Sequence, residues 1–181
     1  MVSWRIYNKQ TSKNEILEYL KKFKSEHLLE KKLIGVWELA GDSSRKIVEG
    51  YALSLEGYFL EIETMLDVSA ISIGCGHIKS DFPLEAESGC FHNEVSNDKP
   101  FSQLLGKRLS KCRLLVGEWG NWDGLMVSFG RSTGLCFISV DCSISVLTLD
   151  GVQTWYRKIL YSQEYFIPRI SWKRVVISSI I

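Results

Sequence analysis

The sequence predicts an α+β fold in which two similar units, each a helix followed by an antiparallel meander, pack into one domain. Apolar residues first recur at helical spacing, and the period then changes to short runs typical of strands. The same order returns later in the chain. With 181 residues and 45% hydrophobic residues, the chain has the size and composition of a single domain that buries a core without disulfide or metal staples.

The first unit is predicted over residues 12–79 and begins with a helix over 12–31. Ser12 and Glu15 form a capping box, which satisfies free backbone donors at a helix start, and an amphipathic apolar pattern follows. The predicted strands of this unit are 33–39, 47–55, 58–64 and 69–73. We therefore expect the helix to cover one face of a four-stranded meander.

The second unit is predicted over residues 100–150, with a helix over 101–110. Its predicted strands are 114–119, 124–129, 134–140 and 143–149. The remaining segment, 151–181, is expected to pack back on the sheet as a strand or helix. Because each unit alone buries only one sheet face, the two lobes are expected to share one core.

Three pairs of segments carry the predicted duplication. They are 49–55 with 123–129, 60–63 with 137–140, and 67–73 with 141–147. Repeated order together with matched segments predicts that the two units superpose.

The net charge of +1 conceals a strong segregation along the chain. Residues 49–99 hold ten acids and two lysines, a balance of −8, whereas residues 1–48 carry +4 and residues 100–181 carry +5. A segment with such an excess of acidic residues can attract a basic partner and fix its orientation. The alternative is a solvated acidic face that serves only solubility.

Two cysteine–histidine pairs form the sharpest chemical pattern. Cys75 and His77 are separated from Cys90 and His92 by twelve residues. Thiolate and imidazole are zinc ligands, but structural sites usually place two to four residues within each pair rather than one. We therefore expect no bound metal, and the alternatives left open are a zinc protein or a motif-free enzyme that uses these histidines for acid–base chemistry.

Other chemical signatures are sparse. The common nucleotide-binding, zinc-peptidase and hydrolase motifs are absent from the sequence, which favours a protein without catalytic activity. Trp119 and Trp122 lie in a glycine-rich turn and offer a third reading, a ligand-binding module. The basic residues between 107 and 113 are interpreted as the solvent-exposed face of the second predicted helix rather than a nucleic-acid-binding site.

Cysteine usage and the apolar runs bear on the compartment. Five cysteines are an odd number without the dense spacing of a secreted scaffold, and neither a secretory leader nor an apolar run of bilayer length is recognisable. We therefore expect reduced thiols, a cytoplasmic protein and no membrane partner.

The chain resembles bacterial immunity proteins of contact-dependent growth inhibition and other polymorphic toxin systems. The resemblance rests on its small size, its repeated segments 49–55 and 123–129 and its acidic run. The resemblance implies a cytosolic protein without cofactor that binds a cognate toxin domain, commonly a nuclease, and occludes its active site without contacting nucleic acid itself. The partner-binding residues it implies are Glu61, Glu63, Asp67, Asp81, Glu85 and Glu87. These carboxylates would stand in for substrate phosphates against basic side chains of the toxin.

Overall fold

The computed structural model describes residues 4–6, 28–40, 47–65, 70–77, 91–116, 122–130, 133–140 and 143–151. The strands are β1 (Trp4–Ile6), β2 (Leu33–Ala40), β3 (Val48–Leu55), β4 (Tyr58–Met65), β5 (Ala70–His77), β6 (Phe91–Glu94), β7 (Leu109–Val116), β8 (Trp122–Phe129), β9 (Gly134–Val140) and β10 (Ser143–Thr148). They form a first sheet in the order β1-β5-β4-β3-β2-β6 and a second sheet in the order β10-β9-β8-β7, with every pairing antiparallel.

The two sheets pack face to face around a shared core. Strand β5 contacts β8 and strand β10 contacts β3, so each sheet covers the apolar face of the other. Alternation along the strands supplies those faces, as expected for antiparallel sheets. An aromatic cluster joins the layers: the ring centroid of Tyr51 in β3 lies 5.4 Å from that of Phe137 in β9 and 5.5 Å from that of Phe101.

The predicted α+β class is wrong, because the described residues form mostly antiparallel β-sheet. Where the helix over 101–110 was predicted, a 3-10 helix spans only Phe101–Gln103 and β7 already begins at Leu109. Gly106, with φ of 73°, adopts a left-handed conformation that interrupts any helix there. The helical spacing of apolar residues thus came from a buried turn followed by a strand.

The helix predicted over 12–31 is only partly covered, since residues 12–27 lie outside the described ranges. Of its described residues, Leu28, Leu29 and Glu30 form a turn rather than a helix, and Lys31 has no regular secondary structure. The tail 152–181 likewise lies outside the described residues.

Both sheets contain a four-stranded meander, β2 to β5 and β7 to β10, with matching irregularities. The register shifts fall at Leu33/Gly35 and Leu39/Ala40 in β2, and at Leu109/Lys111 and Leu115/Val116 in β7. Gly50 pairs with Leu39 in one meander, as Gly124 pairs with Leu115 in the other. Each position in one meander therefore has a defined counterpart in the other.

The two meanders meet at a locally symmetric junction, an isolated antiparallel bridge between Lys32 and Arg108. Its hydrogen bonds run from Leu33 N–H to Lys107 O (2.9 Å), Leu109 N–H to Lys31 O (2.8 Å), Glu30 N–H to Leu109 O (2.7 Å) and Gly106 N–H to Leu33 O (2.8 Å). Each bond has its counterpart when the two meanders are exchanged. Each half of the junction also has a residue with left-handed backbone conformation at the equivalent position, Glu30 with φ 65° and Gly106 with φ 73°.

The strand pairings also correct the segment matches made from sequence. In the strand registers, segment 49–55 is equivalent to segment 123–129, as in the sequence match, since Gly50 and Gly124 hold the same position in their meanders. The other two matches slip: Leu60 corresponds to Leu135 rather than Phe137, a shift of two residues, and the last match is shifted by one. Strand alternation tolerates such slips in a sequence comparison because every second residue has the same character.

Candidate protein-binding site

The outer face of β4 carries two glutamates on a fully packed strand. Leu60 and Ile62 are 0% exposed and point into the core between the sheets. Alternation along a strand places Glu61 and Glu63 on the opposite, outer face of the first sheet. Both are half-buried, so each carboxylate is held by the sheet rather than carried on a loop.

Small residues flank both glutamates on the neighbouring strands. Glu61 lies between Ala52 of β3 and Gly74 of β5, and Glu63 between Gly50 and Ser72. Cross-strand neighbours of this size add little height beside a glutamate. Ala52 and Ser72 are themselves buried, at 1% and 6% exposed, so the half-buried carboxylates are the ionisable groups among small neighbours on this part of the face.

A third acid lies on the same face at the edge of the sheet. Glu94 of β6 is the cross-strand partner of Trp37 of β2, and its Oε1 accepts a hydrogen bond from Ser96 Oγ (2.9 Å). Trp37 lies close over Gly35, where an added Cβ would come within 2.5 Å of the indole. We call the surface around Glu61, Glu63 and Glu94 the acidic face. Sequence reasoning counted Glu94 in the acidic run but did not select it, because its place on this face depends on the pairing of β6 with β2.

The counterpart surface on the second sheet has the opposite chemistry. Glu61 corresponds to Cys136 and Glu63 to Ile138, which are 0% and 2% exposed and pack with Leu115. The same two positions of one scaffold are thus buried and apolar on one sheet, and acidic and half-buried on the other. The two sheets therefore differ in chemistry at positions that their registers make equivalent.

The other sequence-predicted binding residues, Asp67, Asp81, Glu85 and Glu87, lie outside the described residues. Within the described ranges the structure therefore brings together Glu61 and Glu63 and adds Glu94 to them.

One residue of the acidic run has a structural role instead. Glu56, in the turn between β3 and β4, accepts the Lys32 N–H at Oε2 (3.2 Å), and its carboxylate oxygens lie 3.7 Å from Lys32 Nζ and 4.0 Å from Arg108 Nη1. The backbone N–H of Lys32 is the largest cause that lowers the pKa of this carboxyl, and the nearby cations act in the same direction. Glu56 therefore holds the junction of the two meanders.

The zinc alternative does not fit the sheet order. Cys75 and His77 lie on β5 and His92 lies on β6, with β4, β3 and β2 between them. Four strand spacings of about 4.8 Å separate them by roughly 19 Å along the sheet, too far for one ion. Cys90 lies outside the described residues, and those residues contain no cluster of three or more candidate metal ligands.

The remaining alternatives find limited support. The ring centroids of His77 and Tyr58 lie 4.4 Å apart, and Lys31 Nζ lies 5.5 Å from the centroid of the Tyr58 ring. These are a packing contact and a cation–π contact. Trp122 begins β8, whereas Trp119 lies outside the described residues. The basic residues near 107–113 lie on a turn and on β7, not on a helix.

Burial makes the core thiols unreactive. It raises the pKa of Cys112 and of Cys136 to about 12, and burial followed by the charge of Glu61 raises that of Cys75 to about 11. All three are free cysteines. We predict that Ellman's reagent at pH 8 leaves Cys112 and Cys136 unmodified in the native protein and modifies both in denaturant, as peptide mapping would show.

The same shifts fix the pH dependence of stability. A folded-state pKa raised above the unfolded value of 9.0 stabilises the protonated native state below pH 9, and this contribution is lost as pH rises from 9 toward about 12. The midpoint of denaturant unfolding should therefore fall over that range and fall less in a Cys136→Ala variant. Rapid labelling of Cys112 at pH 8 would contradict the burial.

The chain matches no protein-family model, curated protein or solved structure. Among the helices of the described ranges, none combines the length and apolar character needed to span a membrane. The function therefore has to be argued from the geometry of the acidic face.

Proposed function

We propose that this protein is an immunity protein that binds a cognate toxin domain, of nuclease type, through the acidic face and thereby occludes the toxin's active site. The observation that carries the proposal is the contrast between counterpart positions. Cys136 and Ile138 are buried and apolar, whereas Glu61 and Glu63 present carboxylates on the outer face of the first sheet.

The rigidity of the acidic face suits it to recognition. Each glutamate is fixed by a strand with hydrogen-bonded neighbours on both sides, so little backbone freedom is lost on binding. Carboxylates in fixed positions favour Lys and Arg side chains that ordinarily hold phosphates, and complementary charge speeds association. A nuclease active-site surface offers those cations.

The proposal places the protein in the cytoplasm, without cofactor or catalytic activity of its own. A basic partner would explain why the acids are concentrated in one segment: residues 49–99 carry −8, whereas the chain as a whole carries only +1. The acidic face then excludes nucleic acid by repulsion while attracting the protein that cleaves it.

The test is charge reversal on the face. We predict that the Glu61→Lys, Glu63→Lys double variant loses about 2–5 kcal/mol or more of binding to the cognate toxin, sought as the protein encoded immediately upstream, because desolvated cations of the partner are left facing like charges. Asp98→Lys is the control for charge, since Asp98 is an exposed acid of a turn outside this face and its reversal makes half of the double variant's change in net charge. Isothermal titration measures both variants, and melting temperatures verify the fold.

Unaltered affinity of a folded double variant would remove the acidic face from the interface. An equal loss of affinity in the Asp98→Lys control would mean that overall net charge, rather than the acidic face, determines binding.

A further inference from the structure

Within the described residues, strand β6 of the first sheet has no counterpart in the second sheet. In the first sheet β6 pairs with the outer edge of β2, from Trp37 opposite Glu94 to Ala40 opposite Phe91. The counterpart of β2 is β7, which is the last strand of the second sheet in the described part of the chain. The counterpart edge of β7 is therefore open there.

The open edge presents backbone groups ready for pairing. At the covered edge, Val36 N–H donates to Ser96 Oγ (2.9 Å) and Val36 O accepts Val95 N–H (2.9 Å). Cys112 is the counterpart of Val36, because the same register shift follows Leu33 in β2 and Leu109 in β7. Its N–H and C=O therefore face outward along β7, as do those of residue 114, two positions further on.

A cation on the same strand has an unmet requirement. Arg113 is half-buried, and its Nε is buried without a hydrogen-bond partner in the described residues. Its cross-strand neighbour is Met126, part of the apolar cluster around Leu115 and Cys136. A guanidinium donor kept from water beside apolar groups is costly unless an anion pairs with it.

We propose that the open edge of β7 binds an extended segment of a partner protein as an added strand, with an Asp or Glu of that segment directly opposite Arg113. The pairing of β6 with β2 is the internal precedent: it places an acid, Glu94, opposite Trp37, the counterpart of Arg113. Cross-strand partners have Cβ atoms about 5 Å apart, within reach of a carboxylate–guanidinium pair. This surface is distinct from the acidic face and does not depend on it.

The charges on β7 select among possible occupants. A second copy paired through its own β7 would bring Arg113 and Lys111 close to the same cations of the first copy, which like-charge repulsion disfavours. The chain's own segment 152–181 carries five basic residues and only one acid, so like-charge repulsion with Arg113 and Lys111 disfavours it as well. An acidic segment of a different protein meets both the backbone and the charge requirement.

An alternative role for edge cations is protection, since Lys and Arg commonly block edge-to-edge aggregation. Protective cations extend into water, whereas the Nε of Arg113 is buried. The two roles predict different behaviour of Arg113 variants.

The test uses a synthetic peptide with the sequence of residues 91–97, which carries the covering strand of the first sheet. Two-dimensional NMR of the labelled full-length protein should show saturable shifts at the Cys112 and Leu114 amides. A peptide with Gln in place of its Glu, and the wild-type peptide with Arg113→Gln protein, should each bind roughly tenfold more weakly, since a tenfold change corresponds to about 1.4 kcal/mol. Combining both changes should add little further.

The control variant is Lys107→Gln, which removes one exposed cation away from the paired edge and should leave affinity unchanged. The peptide variant keeps the test valid even if Arg113→Gln destabilises the protein. Two results would overturn the proposal: no shift at Cys112 or Leu114 at millimolar peptide, or equal binding of both peptides. Self-association of Arg113→Gln without peptide discrimination would assign the cation to edge protection instead.

Discussion

Replacing Phe137 by alanine is expected to destabilise the protein by about 3–5 kcal/mol, the usual cost of deleting a buried aromatic ring. Phe137 is 0% exposed and its ring contacts Tyr51 of the opposite sheet. The deletion removes apolar contacts from both layers at once, and the cavity lies between rigid sheets that cannot close over it.

Chemical denaturation measures this loss directly, and calorimetry should show the melting temperature fall by roughly 6–20 °C for a chain of this size. Ile34→Ala is the matched control: Ile34 is 57% exposed, and exposed substitutions usually change stability by about 0.5 kcal/mol or less. If the two variants were equally stable, the sheets would not pack through Phe137.

Most strands were predictable from the sequence, while the turn that precedes β7 was not. Alternation located β9 at 134–140, and β3 and β4 within a residue of their observed ends. It failed at β7, where Leu104 and Leu109 are both buried, one in a turn and one in a strand, and so imitate a helical period. Periodicity records which residues are buried, not which backbone buries them.

The candidate site was only partly predictable for a similar reason. Glu61 and Glu63 follow from alternation along one strand, which is local information. The place of Glu94 depends on the pairing of β6, four residues long, with a strand more than fifty residues earlier in the chain. The exclusion of a zinc site shared by His77 and His92 likewise depends on sheet order. Such long-range pairings leave no spacing signature in the sequence.

Gly124→Ala is expected to destabilise the protein by about 3 kcal/mol or more, at the upper end of the range for overpacking. An ideal Cβ at this position would lie 2.4 Å from the backbone oxygen of Phe137 and 3.1 Å from Leu115 Cδ1. A backbone oxygen cannot rotate away as a side chain can, so β8 and β9 must separate locally. The counterpart Gly50 makes the same approach to Ile62 O, at 2.7 Å, and its alanine variant should follow with a smaller loss.

Gly57→Ala separates this steric effect from loss of glycine as such. Gly57 has φ of 76° and no atom within 4 Å of an added Cβ, so alanine there should cost only the left-handed backbone term, about 1–2 kcal/mol. Denaturant unfolding of the three variants should therefore rank Gly124→Ala as the least stable, then Gly50→Ala, then Gly57→Ala. A reversed order would mean that β8 and β9 yield at Gly124, and the close approach that both meanders share would then not be a requirement of their register.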